Sequence, residues 1–394
     1  MDPNLDVDFF APEVRADPWP FYARLREADP VHRRPDGDWI LTRYADCQGV
    51  LADPRCSSNP AHESRPSEGS PARQAGSNLL LFLDPPDHTR LRRLVSKAFT
   101  PRRVEELRPR IAELVDALLD EVDGEPTFNL LEALAFPLPV IVICELMGVP
   151  AEDRDSLKEW STAASRLLDP DVEGETLELG LLAGMGLAGY FDALFEERRR
   201  QPQDDLVSGL VAAEEEGDRL SADELRAITV LLFIAGHETT MNLIGNGTYA
   251  LLQHPDQLAL VRDDPEMARS AIEELLRYDG PVHVTARVPT EDIDVGGTPI
   301  AAGERMVVAL GAANRDPAQY PDPDRLDVTR EDNRHLTFSH GIHFCLGASL
   351  ARVEGQVAIP RLLQRFPNLA LAAEPSYREH LVLRGLTELQ VAIG

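Results

Sequence analysis

Cysteine is scarce in this sequence, and the four that are present are scattered along it. Cys47, Cys56, Cys144 and Cys345 form neither a Cys-x-x-Cys pair nor a Cys-x-x-Cys-His motif. The sequence therefore offers no disulfide framework and no site for covalent attachment of a c-type haem. This usage fits a reducing compartment, and we expect a cytoplasmic protein.

Long apolar runs are also missing. The most apolar stretches, residues 133–149 and 227–236, are too short or are interrupted by two prolines and an acid. A membrane-spanning helix needs about 20 consecutive apolar residues. The first residues are acidic and have neither the basic nor the apolar region of a signal peptide. We expect no membrane span and no signal peptide.

Basic residues are fewer than acidic ones: the sequence has 39 Lys and Arg and 67 Asp and Glu, which gives a formal net charge of −28. Long-range repulsion then opposes binding to nucleic acid or to an anionic membrane. One basic cluster stands against this background: Arg90, Arg92, Arg93, Lys97, Arg102, Arg103, Arg108 and Arg110. Such a run is either a solvated face or a docking site for an acidic partner.

The chain has enough apolar residues for a large core, because 43% of its 394 residues are hydrophobic. No Ser/Gly-rich linker divides it, so we expect a single domain over residues 1–394. Helical spacing of apolar residues covers 101–122, 130–147, 151–168 and about 176–199. Alternating residues around 31–43, with Asp36-Gly37 as the turn of a hairpin, and around 282–309 predict strands. Residues 381–391 predict a C-terminal hairpin with Arg384-Gly385 at its centre, and Pro360 should kink the helix that follows Cys345. The expected fold is mainly α with a small β region.

A longer helix is predicted from Ser221-Ala222-Asp223-Glu224, a capping box, to just before Pro255. Its middle reads Ala235-Gly236-His237-Glu238-Thr239-Thr240, where a glycine, an acid and two hydroxyls interrupt an apolar run. The simplest interpretation is a threonine bonded to a backbone carbonyl next to a solvated glutamate.

The stretch from Phe338 to Gly347 is the most informative one. It places Cys345 between two glycines and just before a helical apolar pattern. At a helix N-terminus the free N–H groups and the dipole favour a thiolate, the form that binds a soft metal. A lone cysteine is otherwise most often an inert core residue.

The spacing Phe-x-x-Gly-x-His-x-Cys-x-Gly resembles the haem-binding loop of the cytochromes P450. That resemblance implies haem b as cofactor and Cys345 as the iron ligand. It also implies that Phe338 packs beside the sulfur, that Gly341 and Gly347 give backbone clearance, and that His343 binds a haem propionate.

Three further residues match the propionate-binding positions of the family. His88 and Arg92 lie one turn apart at the start of a predicted helix, and Arg287 lies in a predicted strand. Taken alone, two such residues one turn apart are typical of an exposed helix surface. The resemblance assigns all three residues to the haem.

The middle of the long helix resembles the oxygen-binding motif of the same family. By this resemblance Ala235 and Gly236 make room over the haem, Thr239 holds a water or the bound O₂, and Glu238 belongs to a proton-supply chain. Cleavage of the O–O bond needs protons at the outer oxygen, which an acid next to a hydroxyl can deliver.

Glu274 and Arg277 match the Glu-x-x-Arg motif of the family, although such pairs are common on surface helices. In the family, a basic residue from a later segment joins this pair. We assign that structural role to Arg325, in the segment Asp322-Pro323-Asp324-Arg325.

The resemblance implies the cytochrome P450 fold, a helical bundle around a buried haem. It implies a monomeric monooxygenase that inserts one atom of O₂ into a hydrophobic substrate by hydroxylation or epoxidation, in natural-product tailoring or small-molecule catabolism. Electrons would come from a ferredoxin and its reductase. The loop at 57–77 and the helix at 176–199 would cover the active site. The expected substrate-pocket residues are Leu83, Leu231, Leu232, Ala235, Val282, Val284 and Leu386.

Three alternatives stay open. The first is a peroxygenase driven by H₂O₂, which the Glu238/Thr239 pair disfavours because peroxide users of the family often replace these residues. The second is a non-catalytic haem-thiolate sensor of a gas or small ligand. The third is a haem-free helical binding protein, which would be colourless when purified.

Overall fold

The computed structural model describes residues 11–64, 79–98, 100–169, 172–215 and 218–394. Its helices are α1 Pro12–Ala16, α2 Trp19–Ala28, α3 Tyr44–Ala52, α4 Asp87–Ala98, α5 Pro101–Glu106, α6 Arg108–Asp120, α7 Pro137–Met147, α8 Arg154–Ser165, α9 Gly174–Arg200, α10 Leu206–Val211, α11 Ala222–Gln253, α12 Pro255–Asp263, α13 Ala268–Asp279, α14 Leu310–Ala313 and α15 Ala348–Arg365.

The strands are short, and nine of the twelve in the described residues lie within 31–57, 284–309 and 370–392. They are β1 Val31–Arg33, β2 Trp39–Leu41, β3 Cys56–Ser57, β4 Thr127–Asn129, β5 Glu214–Glu215, β6 Asp218–Arg219, β7 Val284–Pro289, β8 Ile293–Val295, β9 Thr298–Ile300, β10 Met306–Ala309, β11 Ala370–Leu371 and β12 Gln390–Ala392. Helices account for 58% of the structure, which confirms the mainly α prediction.

Helix α11 is the central element of the fold. The hydroxyl of Ser221 accepts the N–H of Glu224, and the Glu224 carboxylate accepts the N–H of Ser221, so the predicted capping box is present. The helix has 32 residues, a length of about 48 Å. It packs against α7, α8, α9, α13 and α15, and every residue from 240 to 251 is buried.

Two helices, α9 and α11, are long and apolar enough to cross a membrane by length and composition alone. Helix α11 is apolar because it lies at the centre of the core, where most of its side chains are buried. Helix α9 packs on α8 and α11 and exposes Leu179, Leu182 and Met185 on its other side. The predicted absence of a membrane span stays a prediction.

The main sheet has the strand order β1-β2-β10-β7-β3. The predicted hairpin is confirmed: β1 and β2 are antiparallel, and Gly37 takes the positive φ (97°) that the turn requires. Strand β10 pairs parallel to β2 and antiparallel to β7. Met306 of β10 lies opposite Arg287, which sets the position of that arginine.

The C-terminal hairpin differs from the prediction. We expected Arg384-Gly385 at its centre, but Arg378 N–H donates to the Gly385 carbonyl at 2.8 Å and Thr387 N–H to the Ser376 carbonyl at 2.8 Å. The turn therefore lies between Arg378 and Gly385, and Gly385 is on the returning arm.

Of the remaining predictions, some are confirmed and others are not tested by the described residues. The helix expected at 176–199 is confirmed as α9. Helix α15 continues through Pro360 to Arg365. Of the covering loop predicted at 57–77, residues 65–77 lie outside the described residues. The single-domain assignment stays a prediction.

Candidate active site

The loop before α15 is a tight turn built on two residues with positive φ. Ser339 has φ 62° and Gly341 has φ 70°. A Cβ on Gly341 would lie 2.5 Å from the Leu51 carbonyl oxygen, so only glycine fits there. The N–H of Cys345 donates to the Phe338 carbonyl at 2.9 Å. This bond closes the loop and fixes the backbone that carries the sulfur.

Phe338 is buried under the guanidinium of Arg352, which lies 4.6 Å from the ring centroid. Arg352 is held by two bonds to Glu273, at 2.6 and 2.8 Å. Burial opposes ionisation of Glu273, but the bonds from Arg352 and His335 lower its pKa to about 2. Sequence reasoning missed Arg352, whose only signal is its position about one turn into α15.

Cys345 is accessible to solvent although protein surrounds it closely, as happens when a residue faces an internal opening. Burial raises the pKa of its thiol, while the N–H groups of Gly347 and Ala348 and the charges of Arg92 and Arg352 lower it. Burial prevails, so the predicted helix-terminal effect is present but does not by itself produce a thiolate. A bound metal ion deprotonates a coordinating thiol.

The four residues predicted for the propionates come together. The rings of His88 and His343 have centroids 4.3 Å apart, Arg92 Nη2 donates to the Phe344 carbonyl at 2.5 Å, and Arg287 donates to the Ala286 carbonyl at 2.7 Å. Burial and neighbouring cations lower the pKa of His343 to about 3. Burial lowers that of Arg287 to about 10. For His343 the neighbouring cations add to the effect of burial, whereas for Arg287 burial alone lowers the pKa.

These four side chains have no carboxylate partner within the described part of the chain. His88 is 2% exposed, and neither of its ring nitrogens has a hydrogen-bond partner. Buried donors and cations without partners are costly. A ligand with two carboxylates, such as haem, would satisfy them.

Gly347 provides a second test of whether haem fits. Its φ is −82°, and a Cβ there would meet only the Cys345 sulfur, at 3.9 Å. Neither backbone conformation nor a protein neighbour requires glycine at this position. The open space beside the sulfur is what a flat ligand would need, so the residues present fit a haem group.

The α11 motif is only in part as predicted. Ala235 is exposed, and Thr239 Oγ1 donates to its carbonyl at 2.9 Å. Glu238 is 1% exposed and ion-paired with Arg378, so it is not the solvated glutamate of the simplest interpretation. A Cβ on Gly236 would lie 3.0 Å from Ile143 of α7, so the glycine allows helix packing, which is a reason that the sequence did not suggest. Its predicted place over the haem stays a prediction.

The Glu274–Arg277 pair is fully buried, with bonds of 2.8 Å to both carboxylate oxygens. The assignment of Arg325 as third basic residue was wrong. Its side chain is exposed, and its backbone carbonyl accepts from Arg277 at 3.2 Å. Arg330 takes the role instead, with Nε 3.2 Å from Glu274 Oε2. The turn at Asp322, where φ is 46°, brings the carbonyl of residue 325 to the pair and leaves its side chain outside.

The expected pocket residues divide into two groups. Leu83, Leu231, Leu232 and Val282 are partly exposed and Ala235 is exposed, so they can contact a ligand. Val284 is 4% exposed and packs with Phe21 and Ile40 beneath the sheet, and Leu386 is 2% exposed in the helical core. The placement of Val284 and Leu386 in an accessible pocket was wrong, since protein atoms already cover both.

The basic cluster is largely neutralised by acids of the same chain. Its ion pairs are Arg90 with Glu224, Arg102 with Glu106, Arg103 with Asp204, Arg108 with Glu105, and Arg110 with Glu145. It is therefore a mixed surface in which these five arginines each have a carboxylate partner, and its net positive field is weaker than the sequence suggests.

Comparison with known proteins agrees with this geometry. Residues 174–375 match the family model of cytochrome P450. The vitamin D(3) 25-hydroxylase of Pseudonocardia autotrophica is 46% identical over 98% of this chain and 96% of its own length. The 6-deoxyerythronolide B hydroxylase of Saccharopolyspora erythraea is 42% identical over 99% of this chain and 98% of its own.

The comparison of folds agrees with the comparison of sequences. The solved structure of PksS, the cytochrome P450 of the bacillaene polyketide synthase of Bacillus subtilis, matches with a TM-score of 0.91 at 40% identity, covering 98% of this chain and 100% of that one. The chain belongs to the cytochrome P450 family and is an O₂-dependent oxidoreductase with haem b as its cofactor.

Proposed function

We propose that this protein is a tailoring monooxygenase in which Cys345 binds the haem iron and the face of α11 around Thr239 holds O₂. Bound haem supplies the iron at which O₂ is reduced by two electrons and from which one oxygen atom passes to the substrate. Cys345 donates electron density that favours O–O cleavage. His88, Arg92, Arg287 and His343 orient the cofactor by binding its propionates.

The observation that carries the proposal is a buried acid next to an accessible hydroxyl on one helix. Thr239 Oγ1 gives its proton to the Ala235 carbonyl, so its lone pairs are free to accept a hydrogen bond from a water. Glu238 Oε2 is buried and has no hydrogen-bond partner. An acid and a hydroxyl in sequence are suited to hold and deliver protons to reduced oxygen.

The substrate that we propose is a hydrophobic natural product of sterol or macrolactone size. Leu83, Leu231, Leu232 and Val282 supply apolar, partly exposed contacts. Two relatives are named for hydroxylation of vitamin D(3) and of 6-deoxyerythronolide B, which are molecules of this kind. Hydrophobic burial would dominate binding, with few polar contacts to set orientation.

We propose that the electrons come from a ferredoxin and its reductase in the cytoplasm, and that the enzyme acts as a monomer without contact with nucleic acid or membrane. An acidic ferredoxin would exchange the internal ion pairs of Arg102 and Arg103, which are exposed, for intermolecular ones. Such contacts weaken with salt, so the KM for ferredoxin should rise with ionic strength.

The test is product analysis under ¹⁸O₂. The protein is incubated with NADPH, a ferredoxin, its reductase and a panel of sterols and macrolactones that displace the ferric water ligand. We expect a product with one ¹⁸O atom. Turnover with H₂O₂ and no reductant would favour the peroxygenase, and reductant consumption without any oxidised substrate would favour the sensor.

A further inference from the structure

Glu238 is held by a single cationic side chain from a distant part of the sequence. Arg378 Nη1 donates to Glu238 Oε1 at 2.5 Å, and Arg378 Nη2 donates to Asn242 Oδ1 at 2.5 Å. Glu238 and Asn242 lie one turn apart on α11, so one planar guanidinium bridges both. Paired donors in a fixed fork determine the direction of the carboxylate as well as its charge.

This arrangement leaves the two carboxylate oxygens in different states. Oε1 is occupied by Arg378. Oε2 is buried without a hydrogen-bond partner, and the nearest imidazole nitrogen, His237 Nε2, lies 3.8 Å away. Burial lowers the pKa of His237, so that ring is neutral and does not compete with Arg378. Oε2 is the carboxylate oxygen that Arg378 leaves open to a further hydrogen bond.

The fold positions Arg378 through the C-terminal hairpin. Its N–H donates to the Gly385 carbonyl at 2.8 Å. A Cβ on Gly385 would lie 2.0 Å from Asn242 Oδ1 and 2.6 Å from Arg378 Nη2. Any side chain at 385 would therefore displace the Asn242 amide and the Arg378 guanidinium bonded to it. This requirement explains the glycine, whose φ is not among the positive values.

The hairpin is anchored on its other side to the residue that follows α8 and its 3-10 turn. Asp169 Oδ1 accepts the N–H groups of Leu381 and Val382, each at 3.1 Å, and lies 2.6 Å from His380 Nδ1. Arg166 donates to the Glu379 carbonyl at 2.9 Å. Arg378 thus extends from a segment that is fixed independently of α11.

We propose that Arg378 is a positioning residue for proton delivery: by holding Oε1 of Glu238 it fixes the orientation of the carboxylate and therefore of Oε2. The inference rests on the proposed role of Glu238. Without Arg378 the Glu238 carboxylate rotates, and Oε2 loses its fixed orientation. Proton delivery then slows, and reduced oxygen leaves as peroxide before the second proton arrives.

The test compares Arg378→Met, Arg378→Lys, Glu238→Gln and the double variant R378M/E238Q. We expect Arg378→Met to lower the product formed per electron pair by about tenfold, with peroxide rising correspondingly and a larger solvent isotope effect. Substrate affinity, measured by spectral titration, stays within about twofold because no substrate contact is lost. Arg378→Lys should restore only a small part of the coupling, since a lysine returns the charge but not the planar fork that bridges Glu238 and Asn242.

Two comparisons separate positioning from a structural role. The double variant should form as much product per electron pair as Glu238→Gln alone, because Arg378 acts through Glu238. A double variant whose loss equals the product of the two single losses would overturn the proposal. Thermal unfolding of the same four proteins, without turnover, should show non-additive shifts in Tm. The control is Arg361→Met, which breaks an exposed pair with Asp116 and should leave coupling unchanged.

If Arg378→Met does not fold, Gly385→Ala displaces the same guanidinium without removing its charge and should show the same peroxide release. Full coupling in a folded Gly385→Ala or Arg378→Met protein would refute the positioning role. Full coupling in Glu238→Gln would instead refute the proposed role of Glu238 itself, so the two failures are distinguishable.

Discussion

Thr239 and Thr248 lie on the same helix, but only Thr239 faces an opening. Thr239 is partly exposed, whereas Thr248 is fully buried and its hydroxyl has no partner. We expect Thr239→Val to divert most electrons to H₂O₂, because the hydroxyl that holds a water near O₂ is lost. The measurement is the ratio of product to peroxide for each NADPH consumed.

Thr248→Val is the matched control. It makes the same substitution nine residues further along and removes a hydroxyl that makes no bond, so coupling should stay at the wild-type value and stability should be unchanged or slightly higher. Unchanged coupling in Thr239→Val would remove this threonine from the mechanism.

Cys345 gives the second prediction at this scale. Cys345→Ser should abolish the red-shifted Soret band of the reduced carbon monoxide adduct, because an alcohol does not replace a thiolate as ligand. Cys56→Ala, at a buried cysteine in β3, should keep the band. A retained band in Cys345→Ser would show that another residue binds the iron.

Single residues also show what the sequence could and could not predict. Cys345, His343, His88 and Arg92 could be predicted because each matches a motif of the cytochrome P450 family, and Arg287 because of its place in that family's sheet. Arg378 was missed because its partner is 140 residues away and its own neighbours form no motif. Arg325 was chosen in place of Arg330 because spacing along a turn does not show which residue directs its side chain inward.

At the scale of elements, the Glu274 cluster joins α13 to the segment after α14. Glu274 accepts bonds from Arg277, Arg330, the Asn333 amide and the Asp327 N–H. We expect Arg330→Met to lower the free energy of unfolding by about 2 kcal/mol, since a bond to a buried carboxylate is lost. Denaturant titration of the holoprotein measures this.

Arg325→Met serves as the control for this prediction. The Arg325 side chain is exposed and only its carbonyl joins the cluster, so its removal should change stability by less than about 0.5 kcal/mol. Equal losses in the two variants would contradict the assignment of Arg330.

Elements were predictable where a local signal defines them. The capping box fixed the start of α11, and Asp36-Gly37 fixed the first hairpin. The C-terminal hairpin was misplaced by several residues because its register depends on contacts with Asp169 and Asn242. Those contacts join positions far apart in the sequence, which no local pattern reports.

At the scale of the whole molecule, we expect acid to destabilise the protein well above the range where its carboxylates titrate. Burial lowers the pKa of His283 to about 4, against the opposing effect of Asp279, with Arg384 and Arg315 lowering it further. In the unfolded chain a histidine binds a proton near pH 6.5. Stability is therefore complete above pH 6.5 and is lost as pH falls toward 4.

The expected loss from this one residue is roughly 3 kcal/mol. It is measured by denaturant titration between pH 7 and pH 4. His283→Asn should make the dependence of unfolding free energy on pH shallower in that window, whereas His62→Asn, at a half-exposed histidine, should not. An unchanged slope in His283→Asn would show that other groups govern acid sensitivity.

The distance in sequence between Glu238 and Arg378 has a consequence for biosynthesis. A ribosome adds about 5–20 residues per second, so the 140 residues between them take roughly 7–30 s to synthesise. During that time the nascent chain carries Glu238 without the arginine that pairs with it. Ribosomes stalled before residue 378 therefore carry chains in which this ion pair cannot form, however much of α11 has already been made.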